Sequence, residues 1–294
     1  MQFDKRQQQL TFDSKQEKVI DEWGPEKILQ VYDPDTGMKG VLVIDNTSTG
    51  PGKGGKRFAD TVTPIEIFRL ARTMTWKCAA GLPFGGAKGG IVANPNEVDR
   101  VSWMKSFAKM IKPYCPTQYI AATDIGTTEL DMAVFAHEIG DMRACTGKPA
   151  ELGGIPHELG TTGYGVTSAL ESAIEVLEEL KSLYVSKRQI RVSIQGFGNV
   201  GSFTAKFLDS SGIKVVAISD VSGFICNKDG LNIPRLMKDM KGKARFSDLK
   251  GYDVFDKEGI FEVDSDIFIP AAIGDVITDK TASKLLEHNI KMVC

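Results

Sequence analysis

Histidine is scarce in this chain: only His137, His157 and His288 occur in 294 residues, and none stands at a ligand spacing from a cysteine or from another histidine. A metal site built on such ligands is therefore not expected. The five cysteines (Cys78, Cys115, Cys145, Cys226, Cys294) are scattered, odd in number and form no CxxC pair. That pattern argues for reduced, structural thiols and against a disulfide framework or a cysteine nucleophile. No apolar run approaches the length of a membrane span. The opening MQFDKRQQQLTFDSKQEKVID has no apolar stretch of the signal-peptide kind. Together these make the cytoplasm the expected location, with no membrane partner. Charge of one sign is lacking too: 36 Lys and Arg are mixed with 38 Asp and Glu for a net charge of -2. There is no basic stripe for nucleic acid and no acidic tail. Internal repeats and low-complexity tracts are absent as well.

What is present is the composition of a soluble globular protein, 42% hydrophobic and 25% charged. The length suffices for two cores. The first twenty or so residues, charged and Gln-rich, read as a helix leaning on the body. KILQVYD and KGVLVIDN read as two strands joined by the turn PDTGM. TGPGKGGKRF is too glycine-rich for a plain strand interior and reads as a loop. PIEIFRLARTMTWKCA reads as a helix opened by proline and apolar on most sides, hence buried. GLPFGGAKGGIVANP reads as a second glycine loop. A helix near EVDRVSWMKSFAKMIKPYC, a strand YIAATD and a helix TELDMAVFAHEIGDMR follow, with His137 on the last as a packing or surface residue.

The Gly- and Pro-rich segment GKPAELGGIPHELGTTGYG marks a domain boundary, with residues 1–155 as one domain and 156–294 as the other. After it come a helix VTSALESAIEVLEEL, a strand RQIRVSIQ, the turn GFGNVG, a helix to Asp209 and a strand IKVVAISD. This is a βαβ unit, the beginning of a doubly wound nucleotide-binding domain. Gly196, Gly198 and Gly201 form GxGxxG between strand and helix. In that context the first glycine serves a tight turn, the second lets the backbone approach a pyrophosphate, and the third lets helix pack on strand. The helix N-terminus then offers free N–H groups to the phosphates. Asp220, at the end of the second strand, stands near the spacing of an acidic residue that meets the adenosine ribose. A turn-forming Asp in SDVSG accounts for it equally well. The cofactor is NAD or NADP, with a lean towards NAD because a carboxylate repels a 2′-phosphate.

Three lysines of the first domain, Lys53 in GPGKGG, Lys77 in MTWKCA and Lys88 in PFGGAKGG, sit among Gly, Pro, Phe, Trp and Ala rather than in polar runs. Such surroundings are costly for a charge without a partner. A dicarboxylate would supply one, and a lysine in a partly dry site titrates nearer neutrality. These residues point to an anionic small molecule beside a nicotinamide cofactor.

The runs GPGKGGKRF, MTWKCAAGLPFGGAKGGI, ATDIGTTELDM, GTTGYGV and QGFGNVG, in that order, resemble the Glu/Leu/Phe/Val dehydrogenases. The resemblance extends from about Lys27 to the C-terminus. It implies an α/β fold in which an N-terminal substrate and oligomerisation domain precedes an incomplete, doubly wound Rossmann-type dinucleotide-binding domain. It also implies reversible NAD(P)-dependent oxidative deamination of an L-amino acid to its 2-oxo acid and ammonium, in a homohexamer. By the same resemblance, Lys88 is the catalytic lysine that polarises the substrate carbon and activates water. Lys77 holds the α-carboxylate, and Asp124 shuttles protons to and from the nitrogen. An Asp before IGTTE can also cap the following helix. Thr162 and Asn199 match positions that contact the nicotinamide half of the cofactor. Lys53 matches the lysine that reaches the side-chain carboxylate in glutamate dehydrogenases, where leucine dehydrogenases carry an apolar residue. It selects L-glutamate and 2-oxoglutarate over a branched-chain or phenylalanine substrate.

The resemblance departs at three places. Lys77 and Lys88 are eleven apart, against the family's usual twelve. A residue removed inside the helix would rotate its end by about 100°, whereas one removed from the Ala-Gly loop is absorbed. Lys56 stands where the family has an apolar residue, in a GGKRFAD that lacks the usual HP or AP, and reads as a tolerated or a solvated change. The family's chain also continues beyond the position of Cys294, which would leave IKMVC at a sheet edge. The alternative to a working enzyme is a truncated, non-catalytic relative that co-assembles with an intact subunit.

Overall fold

The computed structural model describes residues 20–155, 159–180, 189–272, 274 and 276–294. The helix expected over the first residues lies outside them. The chain divides into two compact units, Met1–Pro156 and His157–Cys294.

In the first unit, β1 (Lys27–Tyr32) and β2 (Lys39–Asn46) form the expected antiparallel hairpin. Asp33 holds its turn by accepting from Asp35 N at 3.1 Å and Thr36 Oγ1 at 2.8 Å. Then come β3 (Gly52–Phe58), α1 (Pro64–Ala79), β4 (Gly85–Ile91), α2 (Arg100–Ile111), β5 (Tyr119–Thr123) and α3 (Glu129–Ile139). The strands make one sheet in the order β1-β2-β4-β3-β5. β2 shows why the sheet is covered on both sides. Val41 and Val43 pack with Ile67, Phe68 and Ala71 of α1, while Leu42 and Ile44 pack with Met104 and Phe107 of α2 and Phe135 of α3. A strand buried on both faces reads as a continuous apolar run.

Both glycine runs expected as loops are strands, and central ones. β4 pairs with β2 and β3, and β3 also pairs in parallel with β5. Their glycines serve close packing rather than turns. A Cβ on Gly86 would stand 2.1 Å from Thr75 Oγ1 and 2.6 Å from Ala71 O, and one on Gly90 2.8 Å from Ile67 Cδ1. Helix α1 can lie this close to the sheet only because β4 has no side chains there, which outweighs the usual low strand propensity of glycine. α1 itself buries one face, with Ile67, Phe68, Ala71, Thr75 and Cys78, and is not apolar all round. Arg69, Thr73, Trp76 and Lys77 are exposed.

The second unit contains α4 (Thr161–Glu179), β6 (Arg191–Gln195), α5 (Asn199–Ser210), β7 (Lys214–Ser219), β8 (Phe224–Cys226), α6 (Ile233–Asp239), β9 (Ile267–Pro270), α7 (Asp279–Glu287) and β10 (Met292–Val293). The sheet order is β10-β9-β6-β7-β8. β6 pairs in parallel with β7 and β9, and β9 with β10; only β8 runs antiparallel. This is the doubly wound α/β arrangement, with β6-α5-β7 as its first βαβ unit. The Gly- and Pro-rich segment ends earlier than the sequence suggests, since α4 already begins at Thr161, after Gly160 in the left-handed region. β10 is the edge strand. A groove of about 560 Å³ between it and α4 is lined by Ser172, Ala173, Val176, Leu177 and residues 292–294.

Lys56 is not solvated; it is fully buried. It points from β3 into the α2–α3 core, with Nζ 2.9 Å from Met104 Sδ and 3.5 and 5.2 Å from the ring centres of Phe135 and Phe107. Burial lowers its pKa from 10.5 to about 7, against smaller opposing effects of Cys145, Cys115 and Asp131. Above 10.5 the amine is neutral in both folded and unfolded chains. Below about 7 it is charged in both, and the fold bears the full desolvation cost. Stability contributed by this position therefore rises with pH between those limits. Cation–π contacts offset part of the cost. Lys56→Met should stabilise the protein by roughly 2–4 kcal/mol at pH 6 and by almost nothing above pH 10.5. Urea melts of both chains across that pH range measure the difference; an equal gain at every pH would assign it to packing alone.

Candidate active site and cofactor loop

The face of the first sheet covered by α1 carries the charged residues. Lys88 lies on β4 and is only 5% exposed. Arg57 lies on β3 and Asp124 directly follows β5. Lys88 Nζ is 3.2 Å from Asp124 Oδ2, and Arg57 Nε donates to the same oxygen at 2.9 Å. Gly55 makes room for this meeting: a Cβ there would stand 2.9 Å from Asp124 Cβ and 3.3 Å from Lys88 Nζ. Asp124 caps no helix. The cap of α3 is Thr128, which forms a reciprocal capping box with Asp131. The loop bearing Asp124 is fastened instead to β3, through Thr127 Oγ1 donating to Lys56 O at 2.9 Å and Phe58 N donating to Ile125 O at 3.0 Å.

Burial pushes the Lys88 ammonium below the usual lysine range, opposed by Asp124 and assisted by the charges of Arg57 and Lys77. Lys53, on β3, is lowered to about 8, first by burial and then by Lys77. Its Nζ donates to Thr146 Oγ1 at 2.7 Å. Among the described residues no carboxylate lies within ion-pair distance of Lys53. Lys77 is exposed in the last turn of α1. The structure thus brings Lys53, Lys77, Lys88 and Asp124 into one electrostatic neighbourhood, the lysines on strands and a helix end and Asp124 on the loop that follows β5. A cluster in which cations outnumber anions, with two amines whose pKa values burial lowers, suits an anionic substrate and proton transfer at its nitrogen.

Sequence reading missed Arg57 and its second partner Glu66, whose Oε1 accepts from Arg57 NH1 at 2.5 Å. A signal was there to be found. Thr63-Pro-Ile-Glu66 has the spacing of a capping box. Thr63 does cap Glu66 N, but the Glu66 carboxylate turns to Arg57.

In the second unit the three glycines behave as a dinucleotide loop requires. Gly196 has φ 102°, and a Cβ there would meet Ala271 O at 2.7 Å. Nothing lies within 4 Å of a Cβ at Gly198, leaving open space for a ligand. A Cβ at Gly201 would stand 1.9 Å from Gly196 O, so α5 packs against the strand end only with glycine there. α5 starts at Asn199, and its N-cap Gly198 supplies no side-chain cap bond. The N-terminus of a helix suits a pyrophosphate, so these residues fit a dinucleotide. Asn199 is partly buried at the first position of α5, and Thr162 is exposed in the first turn of α4. Asp220 does follow β7, yet its carboxylate is already engaged. Oδ1 accepts from Ser222 N and Oγ, both at 2.7 Å, and from Gly223 N at 3.1 Å. Oδ2 accepts from Phe246 N at 2.6 Å. These bonds build the turn and fix the carboxylate at the end of β7.

The family model described as "Glutamate/Leucine/Phenylalanine/Valine dehydrogenase" matches residues 153–294, and its companion "Glu/Leu/Phe/Val dehydrogenase, dimerisation domain" matches residues 25–141. The catabolic NAD-specific glutamate dehydrogenase RocG of Bacillus subtilis is 38% identical over 288 residues, 91% of this chain and 64% of that protein. An NADP-specific glutamate dehydrogenase of Saccharolobus shibatae is 35% identical over 280 residues, 89% of this chain and 64% of that protein. The chain thus spans 64% of the length of these two curated relatives. The crystal structure of glutamate dehydrogenase from Peptoniphilus asaccharolyticus matches 91% of this chain and 72% of that one, with a TM-score of 0.71 and 26% identity. A hetero-hexameric glutamate dehydrogenase from Thermus thermophilus shares the fold, with a TM-score of 0.73 and 24% identity over 92% of this chain and 66% of that one. On the two family matches, the Lys88–Asp124 pair and the glycine loop that opens α5, the chain belongs to the Glu/Leu/Phe/Val dehydrogenase family.

Proposed function

We propose that the protein works in the reversible, nicotinamide-dependent oxidative deamination of L-glutamate to 2-oxoglutarate and ammonium. The observation that carries this reading is the pair of buried Lys88 and half-buried Asp124 at 3.2 Å, with Lys53, which no carboxylate of the described residues pairs, on the neighbouring strand. Lys53 takes the side-chain carboxylate and Lys77 the α-carboxylate. Lys88, in its neutral form, accepts a proton from the reacting centre and directs water to the carbon. Asp124 moves protons at the nitrogen. Such roles need groups in hydrogen-bond reach with pKa values near the working pH. Gly196, Gly198, Gly201 and the first turn of α5 hold the dinucleotide, with Asn199 and Thr162 towards its nicotinamide half. The nicotinamide, when bound, accepts the hydride. The test is reduction of NAD or NADP by the purified chain with L-glutamate, L-leucine and L-phenylalanine in parallel, together with calorimetric titration of glutarate. Preference for leucine, or no binding of the dicarboxylate, would overturn the reading.

NAD is the proposed cofactor. Support comes from Asp220, whose carboxylate is fixed by four donors where β7 ends; a negative group held there repels a 2′-phosphate. Asp220→Ser should move the ratio of the NAD and NADP dissociation constants towards NADP. It should also cost roughly 1–2 kcal/mol of stability through the lost turn. Tighter binding of NADP than NAD by the unmutated chain would end this assignment. A homohexamer is proposed with it, supported by family membership and by the Thermus protein described as hetero-hexameric; sedimentation equilibrium measures it. A cytoplasmic location rests on the sequence expectation.

A further inference from the structure

Asp124 presents an asymmetry that the substrate contacts alone do not explain. Both of its cationic partners, Lys88 Nζ and Arg57 Nε, meet Oδ2. Oδ1 accepts no hydrogen bond from any described residue. Arg57 is in turn held by Glu66, and the side chains of Arg57, Glu66 and Asp124 are 15%, 35% and 20% exposed. Glu66 belongs to the first turn of α1, where its carboxylate would ordinarily close the capping box begun by Thr63. It forgoes that bond for Arg57, and its Oε2 is buried without a partner.

We propose that Arg57 and Glu66 are positioning residues for the reaction: Glu66 holds Arg57, Arg57 and Lys88 together hold Oδ2 of Asp124, and Oδ1 is thereby left facing the substrate nitrogen. The inference rests on the reading of Lys88 and Asp124 as the reacting pair. Two cations on one oxygen fix the carboxylate plane as a single contact could not. Charge balance follows from the same geometry. Lys88 and Arg57 are offset by Asp124 and Glu66, so the second cation near Lys88 does not stand uncompensated. Among the described residues Lys77 on α1 is the further charged group that acts on Lys88. Asp45, on β2, is already committed to Arg72 and Thr75.

The experiment reads Lys88 directly and does not need turnover. Competitive acetylation with trace acetic anhydride across pH 6–11, resolved by peptide mass spectrometry, gives the pH at which each lysine is half reactive. Glu66→Gln leaves Arg57 uncompensated and should lower that pH for Lys88 by about 0.5–1 pH unit. Arg57→Gln removes a neighbouring cation and leaves Glu66, and should raise it by about as much. Arg57→Lys, which keeps the charge, should return Lys88 most of the way. Exposed Lys109 serves as the internal control. A merely structural role would loosen the site in both Gln variants and move Lys88 the same way in each, towards an ordinary solvated lysine. Shifts of one sign, or none in either variant, overturn the proposal. Should a Gln variant fail to fold, Glu66→Asp, whose shorter reach weakens the contact, should lower the Lys88 value in the same sense by a smaller amount. Opposite-sign shifts without glutamate turnover or glutarate binding would uphold the charge network and reject the glutamate reading, so the two failures are distinguishable.

Discussion

Lys88→Ala is expected to reduce glutamate turnover by about 10³-fold or more relative to the unmutated chain while leaving the dissociation constant of the dinucleotide within about twofold. The size follows from the role proposed for Lys88 and from where it sits. General acid–base catalysis by one positioned group contributes roughly 10²–10⁴-fold, and Lys88 also orders Asp124. Its own pKa is drawn below the ordinary lysine value by burial, the direction that favours proton transfer by an amine. Alanine fits the strand: neighbouring Gly86, Gly89 and Gly90 show that β4 tolerates small residues, and Asp124 keeps Arg57 as a partner. The loss should therefore fall on kcat rather than on folding. Dinucleotide affinity should hold because the GxGxxG loop is built by residues of the other unit. Steady-state kinetics with a fluorescence titration of the cofactor checks both halves, and retention of a tenth of the activity would remove Lys88 from its assigned role.

Lys53→Leu should separate acidic from aliphatic substrates. Lys53 is a partly buried ammonium with a hydroxyl partner and no carboxylate among the described residues. Burial lowers its pKa to about 8, and a carboxylate beside it would restore the charge. Losing that pair should weaken glutarate binding by roughly 2–3 kcal/mol, about 30- to 150-fold. Pentanoate, which presents a methyl group instead, should change by less than about threefold. The ratio of kcat/KM for norleucine over glutamate should rise by a comparable factor. In the unmutated chain, glutarate affinity should fall as pH rises past about 8, since the free lysine then loses its proton. In Lys53→Leu that fall should be gone. An unchanged glutarate-to-pentanoate ratio would show that Lys53 does not meet the distal carboxylate.

What the sequence alone determined was whatever depends on local pattern. The hairpin of β1 and β2, helix α1 from Pro64 to Ala79, and the βαβ unit around GFGNVG are legible because turn chemistry, proline at the first helical position and apolar periodicity all act over a few residues. Lys53, Lys77, Lys88 and Asp124 were legible through family motifs and through the anomaly of lysines among glycines. Tertiary structure decided the rest. GKGGKRF and GGAKGGI carry no strand signal of their own; they are strands because α1 has to lie almost on the backbone, and only glycine at positions such as 86 and 90 leaves room. No pattern along the chain reveals that Lys56 faces Phe107 and Phe135 rather than water, because which face of β3 meets α2 and α3 is set by the register of β3 between β4 and β5. Asp220 owes its turn role to Phe246, a partner 26 residues away. Arg57 and Glu66 join Asp124 through the same long-range pairing: separations of 9 and 67 residues close to hydrogen-bond distance once β3, α1 and β5 are assembled. Local chemistry chose the elements, and burial against distant partners chose which charges face each other.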